Sequence, residues 1–317
     1  MPRLRAILGA VLSLAAADAV QACDSTGCYL ATRAGGALVG KGRVRVDLSF
    51  RHSDQRALRE GGGPAEVVWR PRLDFEGGRV LADYHRERGG EEQFWQAEVA
   101  YGVSSRVDVF ASLPLTRRTY DMTHGFFDHV YATDGFGDVA VGGRVALDRA
   151  ARWVGGLALK LPSGTNRLTS FFDGGIHDPS LQPGSGAVDV LVSLQTFHGG
   201  APWSWSASGS YQRTSTNDLG YRWGDEAIAA VSGGRSLTRR LRATLQAKLF
   251  HRGRSTFQDE GVRSTGQSIV YLSPGFTFSA PTALSPYAVF QIPVYRYVNE
   301  MQLAPRGALL MGLSRTF

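Results

Sequence analysis

The sequence predicts an all-β chain: a closed, transmembrane, antiparallel up-and-down β-barrel of about twelve strands, each roughly ten residues long, the length a tilted strand needs to cross a bilayer. Three observations predict it. Segments along the whole chain alternate strictly between apolar and polar side chains, the mark of a strand with two unlike faces. The joins between them alternate short and long. The chain opens on a secretory leader and closes on an alternating strand that ends in Phe317.

The leader comes first. Arg3 and Arg5 precede the apolar run AILGAVLSLAAA at 6–17, and Val20-Gln21-Ala22 places small residues at cleavage positions. This reads as a signal peptide over 1–22, cut after Ala22. The apolar run is too short to span a bilayer, and no later run approaches 18 apolar residues, so transmembrane helices are excluded. Loss of Arg3, Arg5 and Asp18 lowers the net charge from +7 to +6. The basic residues alternate along strands instead of forming a patch, which argues against nucleic acid. Segment 23–40 is expected to lie in the periplasm or the lumen ahead of a barrel over 41–317, and it holds both cysteines, Cys23 and Cys28. In an oxidising compartment two such close thiols read as a small disulfide loop. Acylation of Cys23 is disfavoured by the bulky Gln21, and a metal pair lacks a second ligand pair at convincing spacing.

The strands follow in order. Val44, Val46, Leu48 and Phe50 alternate with Arg43, Arg45, Asp47, Ser49 and Arg51. Trp95, Ala97, Val99, Tyr101 and Val103 alternate with Gln96, Glu98 and Ala100. Val107, Val109, Ala111, Leu113 and Leu115 oppose Asp108, Phe110, Ser112, Pro114 and Thr116. Val139 to Leu147 carries Arg144 on its polar side, and 153–161 carries Lys160. Val188, Val190, Val192 and Leu194 face away from Asp189, Ser193 and Gln195. Trp203, Trp205, Ala207 and Tyr211 oppose Ser204, Ser206, Ser208 and Gln212. A weak strand of small residues near 225–235 precedes LRATLQAKLF at 241–250, in which Leu241 to Leu249 alternate with Arg242, Thr244, Gln246 and Lys248. Further strands are expected near 267–278, 286–295 and 304–317.

The joins order these strands. Short ones (104–106, 148–151, 199–202, 236–240, 280–284) alternate with long ones (54–92, 118–137, 163–186, 214–224, 252–266, 296–303). Short periplasmic turns and long extracellular loops are the topology of an outer-membrane barrel. Charges on the lipid side would cost about 2–4 kcal/mol each for Arg or Lys near the midplane. The lumen is therefore expected to take Arg43, Arg45, Asp47, Arg51, Glu98, Asp108, Arg144, Lys160, Asp189, Arg242, Gln246 and Lys248. Trp95, Tyr101, Trp153, Trp203 and Tyr211 fit interfacial girdles. Phe317 is expected to act as the signal to the barrel-assembly machinery of a Gram-negative outer membrane; Arg315 stands where such signals carry an apolar residue, and can snorkel.

Several stretches resemble the outer-membrane "transporter" family named for the MetA pathway of phenol degradation. They are YGVSSRVDVFASLPL (101–115), DGFGDVAVGGRVAL (134–147), GLALKLPSGTNR (156–167), DPSLQPGSGAVDVLVSL (178–194), GYRWGDE (220–226), VYLSPGFTF (270–278) and QIPVYRYVNEMQLAPR (291–306). The resemblance implies an outer-membrane barrel that moves small, aromatic or hydrophobic compounds.

Other features carry less chemistry. His124 and His129 in DMTHGFFDH have zinc-like spacing but no placed partner pair, and read as a polar loop. A lipid hydrolase would need a Ser–His pairing; His52-Ser53, where the first strand ends, is one adjacent pair without a placed third group and is not specific. The Gly-rich DGFGD and GDVAVGG enter a strand without the strand-to-helix context of phosphate binding. Pro114, Pro274 and Pro293 lie inside strands and predict bulges, or strands that rise above the bilayer, at those points. The first loop, 54–92, or segment 23–40, is expected to occlude part of a bore already narrowed by side chains. The resulting expectation is a monomeric passive channel for small solutes, bathed in outer-membrane lipid, with no cofactor, no metal and no catalysis. The alternative is a non-conducting barrel for envelope structure, adhesion or partner docking.

Overall fold

The computed structural model describes residues 38–124, 127–170, 174–280 and 284–317; the leader expected over 1–22, and Cys23 and Cys28, lie outside them. Twelve strands form the ring: β1 (Val44–Asp54), β2 (Arg79–Gly102), β3 (Val107–His124), β4 (Ala140–Ala146), β5 (Trp153–Lys160) and β6 (Asp189–Gly199). They continue with β7 (Trp203–Arg213), β8 (Glu226–Ser236), β9 (Leu241–Arg252), β10 (Gln267–Phe278), β11 (Leu284–Val298) and β12 (Gly307–Thr316). Each pairs antiparallel with its neighbours in chain order, and β12 pairs back onto β1 from Arg45↔Thr316 to Asp54↔Gly307. The Phe317 N–H donates to the Val44 carbonyl at 2.8 Å, which shuts the seam. No ring strand keeps an open edge, the condition for a sheet in hydrocarbon.

Alternation dictates the two surfaces. On β9, Lys248 is 1 % exposed while its neighbour Leu249 is 45 % exposed. Leu48, Val99, Leu157, Val192, Val231 and Ile292 likewise stand outward around the ring. An apolar exterior this continuous is unsuited to water and suited to lipid. The girdle candidates Trp95, Tyr101, Trp153, Trp203 and Tyr211 are also exposed. Short turns gather at one end of the barrel with Phe317, and the longer connections gather at the other.

The long connections differ from the expected loops. Strand β2 already starts at Arg79, and β3 runs on to His124, where Phe127–Phe136 folds back to pair with its upper half. Val68–Asp74 pairs with the upper part of β2. Ala57–Glu60, Gly63–Pro64 and Met301–Ala304 make a small sheet, and Tyr221–Arg222, Thr256–Phe257 and Glu260–Gly261 another. The physical reason is solvent. Above the bilayer both strand faces can be polar, as in Arg117-Arg118-Thr119-Tyr120-Asp121, so the apolar half of the pattern disappears while the hydrogen-bonded strand continues.

The in-strand prolines sit where the ladder is interrupted. Opposite Pro114, the neighbouring strand breaks at residues 137–139 between Phe136 and Ala140, and the Gly137 N–H donates to the Pro114 carbonyl at 2.9 Å. Since a strand residue aims its N–H and C=O to the same side, the donor missing from Pro114 falls in that gap. Pro274 lies between the β10–β11 pairs Leu272↔Ile292 and Gly275↔Val289, where no pair forms. Pro293 adjoins a bulge: Tyr271 pairs with Pro293 but Val270 with Tyr295, leaving Val294 unpaired in the β10–β11 register. At the C-terminus the Arg315 guanidinium lies 4.5 Å from the centroid of the Phe317 ring.

Candidate functional site

The inward faces of the strands fill the bore. Arg45, Asp47, Arg51, Glu98, Asp108, Arg144, Lys160, Asp189, Gln246 and Lys248 are all buried there. Arg242 is half-buried near the turn end of β9 and donates to Ser204 Oγ. Arg43 differs: it is exposed, because it belongs to the turn that precedes β1 and lies outside the strand's alternation. The buried charges on β1–β4 are partnered. Arg144 meets Asp108 at 2.8 and 2.9 Å, Arg45 lies 3.9 Å from Glu98, Arg51 donates to Gln291 Oε1 at 3.2 Å, and the Tyr287 hydroxyl reaches Asp47 at 3.1 Å. Burial of unpaired charge would be strongly unfavourable, so pairing is what lets these residues face inward.

Three motifs meet at the loop end of the bore. Asp138 of DGFGD accepts from Lys160 Nζ at 2.7 Å, from the Ser185 N–H at 2.8 Å and from the Gly164 N–H at 3.1 Å. Lys160 also lies 3.0 Å from Asp189, which accepts from Gln212 Nε2 at 2.9 Å and from the Ser215 N–H at 3.0 Å. One ammonium thus holds two carboxylates and, through them, two loops. The glycines of LPSGT and LQPGSG permit the approach: a Cβ on Gly184 would lie 2.3 Å from the Gly164 carbonyl oxygen. Asp138, Gly164, Gly184 and Ser185 were absent from the expected lumen set. Their only signal was the recurrence of Asp, Ser and Gly in motifs that read locally as strand entry and turns.

Behind this clamp, the connection between β5 and β6 folds inward. Leu181, in the short 3₁₀ turn Pro179–Leu181, packs with Tyr120 and Met122, and the Leu181 carbonyl accepts from the Thr133 hydroxyl. The turn is capped by Asp178, whose Oδ1 accepts from the Ser180 N–H at 2.8 Å and lies 3.6 Å from Arg70. Burial pushes the Asp178 carboxyl up, but the Arg70 charge and the Ser180 hydrogen bonds prevail and hold it below the usual carboxylate range. A carboxylate depressed in the folded state stabilises fully above its unfolded value near 3.9, and that contribution is lost as pH falls through the lower folded value. Docking of this turn is therefore expected to be unchanged between pH 7 and 5 and to weaken only below about pH 4. Hydrogen exchange at Ser180 and Leu181, corrected for intrinsic rates, measures this; protection lost already at pH 5 would contradict it.

Beneath the clamp lies a polar cavity of about 160 Å³, bordered by Glu92, Arg118, Lys160, Asp189, Glu226 and Arg252. Its charges too are paired, as in Arg252–Glu226 at 2.7 Å. Further toward the turn end, an apolar layer occupies part of the bore: Phe250, Ile269, Ile228, Leu191 and the Tyr271 ring, with Phe110 against them. These are inward positions, and the sequence pattern did not assign them to the lumen. At the turn end, Val39 is buried and its N–H donates to Asp108 Oδ2 at 2.9 Å. A Cβ on Gly102 would come within 2.5 Å of the Val39 and Gly40 carbonyl oxygens, so this glycine leaves room for the chain crossing it.

Among the described residues, the remaining motif side chains do not converge on a site. His52 and Ser53, being adjacent on β1, point to opposite faces, and Ser53 is buried with its hydroxyl accepting from Gln55 at 3.1 Å. His129 stacks on Phe127 and meets Tyr131 edge-on in the upper hairpin; the side chain of His124 lies outside the described residues. Among the described residues no cluster of three or more His, Cys, Asp or Glu side chains is arranged to hold a metal ion.

A closed ring with an apolar exterior and a bore occupied by paired charges defines an outer-membrane-type β-barrel. The chain belongs to the family described as "Putative MetA-pathway of phenol degradation", whose profile matches residues 75–299. Its fold is similar to that of the COG4313 outer membrane channel from Pseudomonas putida F1, with a TM-score of 0.60 at 11 % identity, over 89 % of this chain and 97 % of that one. The Bordetella autotransporter BrkA β domain (TM-score 0.46, 9 % identity, 88 % and 100 % coverage) has a weaker likeness. The P. putida toluene transporter TodX (0.41, 10 %, 90 % and 92 %) is weaker still. No curated protein matches the chain.

Proposed function

We propose that this barrel is a passive outer-membrane channel for small, hydrophobic or aromatic molecules, gated by its own side chains. The observation that carries the reading is the order of layers in the bore. A polar cavity of about 160 Å³ at the loop end is followed by an apolar layer around Phe250 and Ile269, all inside a ring with a lipid-compatible exterior. The layer suits an apolar solute better than water or a cation, since the flanking Lys248 ammonium on β9 is turned onto the Tyr271 ring at 4.5 Å from the centroid. The fold shared with a solved outer membrane channel supports the same reading. In this reading the loop end faces outward and the turn end faces the periplasm of a Gram-negative cell. Residues 38–40 narrow the periplasmic mouth, Phe317 is the group read by the assembly machinery, and the closed ring acts as a monomer.

Refolded protein in planar bilayers is expected to show small, intermittent single-channel currents. The absence of both current and solute entry, in wild type and in variants with a widened bore, would overturn the channel reading. That result would favour a non-conducting barrel used for structure or docking, a reading to which the deep burial of the inward side chains also conforms. A hydrolase would instead cleave lipid in the same preparation and lose that activity on replacement of one Ser or His.

A further inference from the structure

Just on the turn side of the apolar layer, a row of polar side chains crosses four neighbouring strands. Ser206 of β7 stands opposite Ser232 of β8, Ser232 opposite Gln246 of β9, and Gln246 opposite Ser273 of β10. Tyr271 precedes Ser273 by one inward position, its ring in the apolar layer. All are buried: Ser206 is 5 % exposed, Gln246 2 %, Ser273 1 % and Tyr271 0 %. Yet Ser206 Oγ, both amide atoms of Gln246, Ser273 Oγ and the Tyr271 hydroxyl have no hydrogen-bond partner among the described residues. Buried polar groups in folded proteins are almost always satisfied, so several orphans in one row call for an explanation.

We infer that this row is a hydrogen-bonding station for a neutral, hydroxyl-bearing small molecule whose apolar body lies against Phe250, Ile269 and the Tyr271 ring. The mixture of orphans selects the guest. The Gln246 amide carbonyl needs a donor, its NH₂ needs an acceptor, and each hydroxyl can serve as either. The Lys248 ammonium, 4.5 Å from the Tyr271 ring centroid, already has its own contacts, so a carboxylate, which can only accept, would leave the Gln246 carbonyl unmet, and a hydrocarbon offers nothing. A hydroxyl answers both demands. The packed bore leaves these atoms without water-sized space, so entry of the guest displaces side chains and supplies the missing bonds at the same time. The closed bore is the state with unmet hydrogen bonds, and the solute-filled bore is the state in which they are met. The inference rests on the channel reading for its role in passage, but the binding site stands independently of it.

The test compares cyclohexanol with fluorocyclohexane, similar in shape and unequal in donor capacity, on the refolded full-length protein. In planar bilayers cyclohexanol is expected to block the ion current at a concentration at least tenfold lower than its fluoro analogue. The variant Gln246→Met/Ser273→Ala/Tyr271→Phe is expected to lose that gap while unfolding at a temperature no lower than wild type, since it removes orphans and keeps volume. Equal block by both compounds in wild type, or a gap retained in the variant, overturns the inference. If the triple variant fails to fold, Tyr271→Phe alone is expected to narrow the gap at least threefold, and no narrowing overturns it. Thermal unfolding separates this from the channel reading: cyclohexanol is expected to raise the Tm of wild type more than fluorocyclohexane does, and not that of the variant. That shift without any current retains the site and sinks the channel; current without block or shift does the reverse.

Discussion

Replacing Lys160 with methionine is expected to destabilise the barrel by about 3–5 kcal/mol, the cost of leaving buried charge without its partner. The ammonium stands 2.7 Å from Asp138 and 3.0 Å from Asp189, and all three groups are buried. Without it the two carboxylates face each other's charge inside the wall, and both loops that they organise lose their anchor. The Ser185 and Gly164 N–H bonds to Asp138 remain available, but they do not offset the repulsion between the two buried carboxylates. Denaturant unfolding in micelles measures the loss. Adding Asp138→Asn to Lys160→Met is expected to recover part of it by removing one of the stranded charges. A loss under about 1 kcal/mol for Lys160→Met would mean that water already reaches the pair and screens it.

Replacing Phe250 with alanine is expected to raise single-channel conductance severalfold and to lower stability by about 3–5 kcal/mol. Phe250 is fully buried at the centre of the apolar layer, with Ile228 and Ile269 directly beside it on β8 and β10. Truncation removes the fully buried aromatic ring at the centre of that layer and opens a void between the polar cavity and the Gln246 row. Leu249→Ala, one residue away on the outer face, serves as the control and is expected to leave conductance unchanged. Equal effects of the two substitutions would show that the layer does not limit passage.

The ring itself was legible because lipid on one side and a lumen on the other impose alternation. LRATLQAKLF is the clearest case, with Leu249 outward and Lys248 inward. Legibility ended at two physical boundaries. Where β2, β3 and Phe127–Phe136 rise above the bilayer, the outer face no longer needs apolar residues, and the strands read as loops. Inside the bore, the requirement is to fill volume as much as to be polar, so Phe250 and Ile269 occupy inward positions that a polar-lumen rule assigns to charged residues. Asp138 was missed for a third reason. Its importance lies in groups brought from residues 160, 164 and 185, and no local pattern records that convergence.

The seam between β1 and β12 has a consequence for how long the barrel lasts. It joins the two ring strands most distant in sequence, the pairing with the largest loop-closure cost and hence the last expected to form. Until it shuts, each end strand is a free edge from which a ladder can open one bond at a time. Afterwards that route is gone, and losing any strand means rupturing a whole ladder before the first residue gains freedom. The lifetime of the closed ring is then set by the height of that barrier, a matter of rate more than of equilibrium.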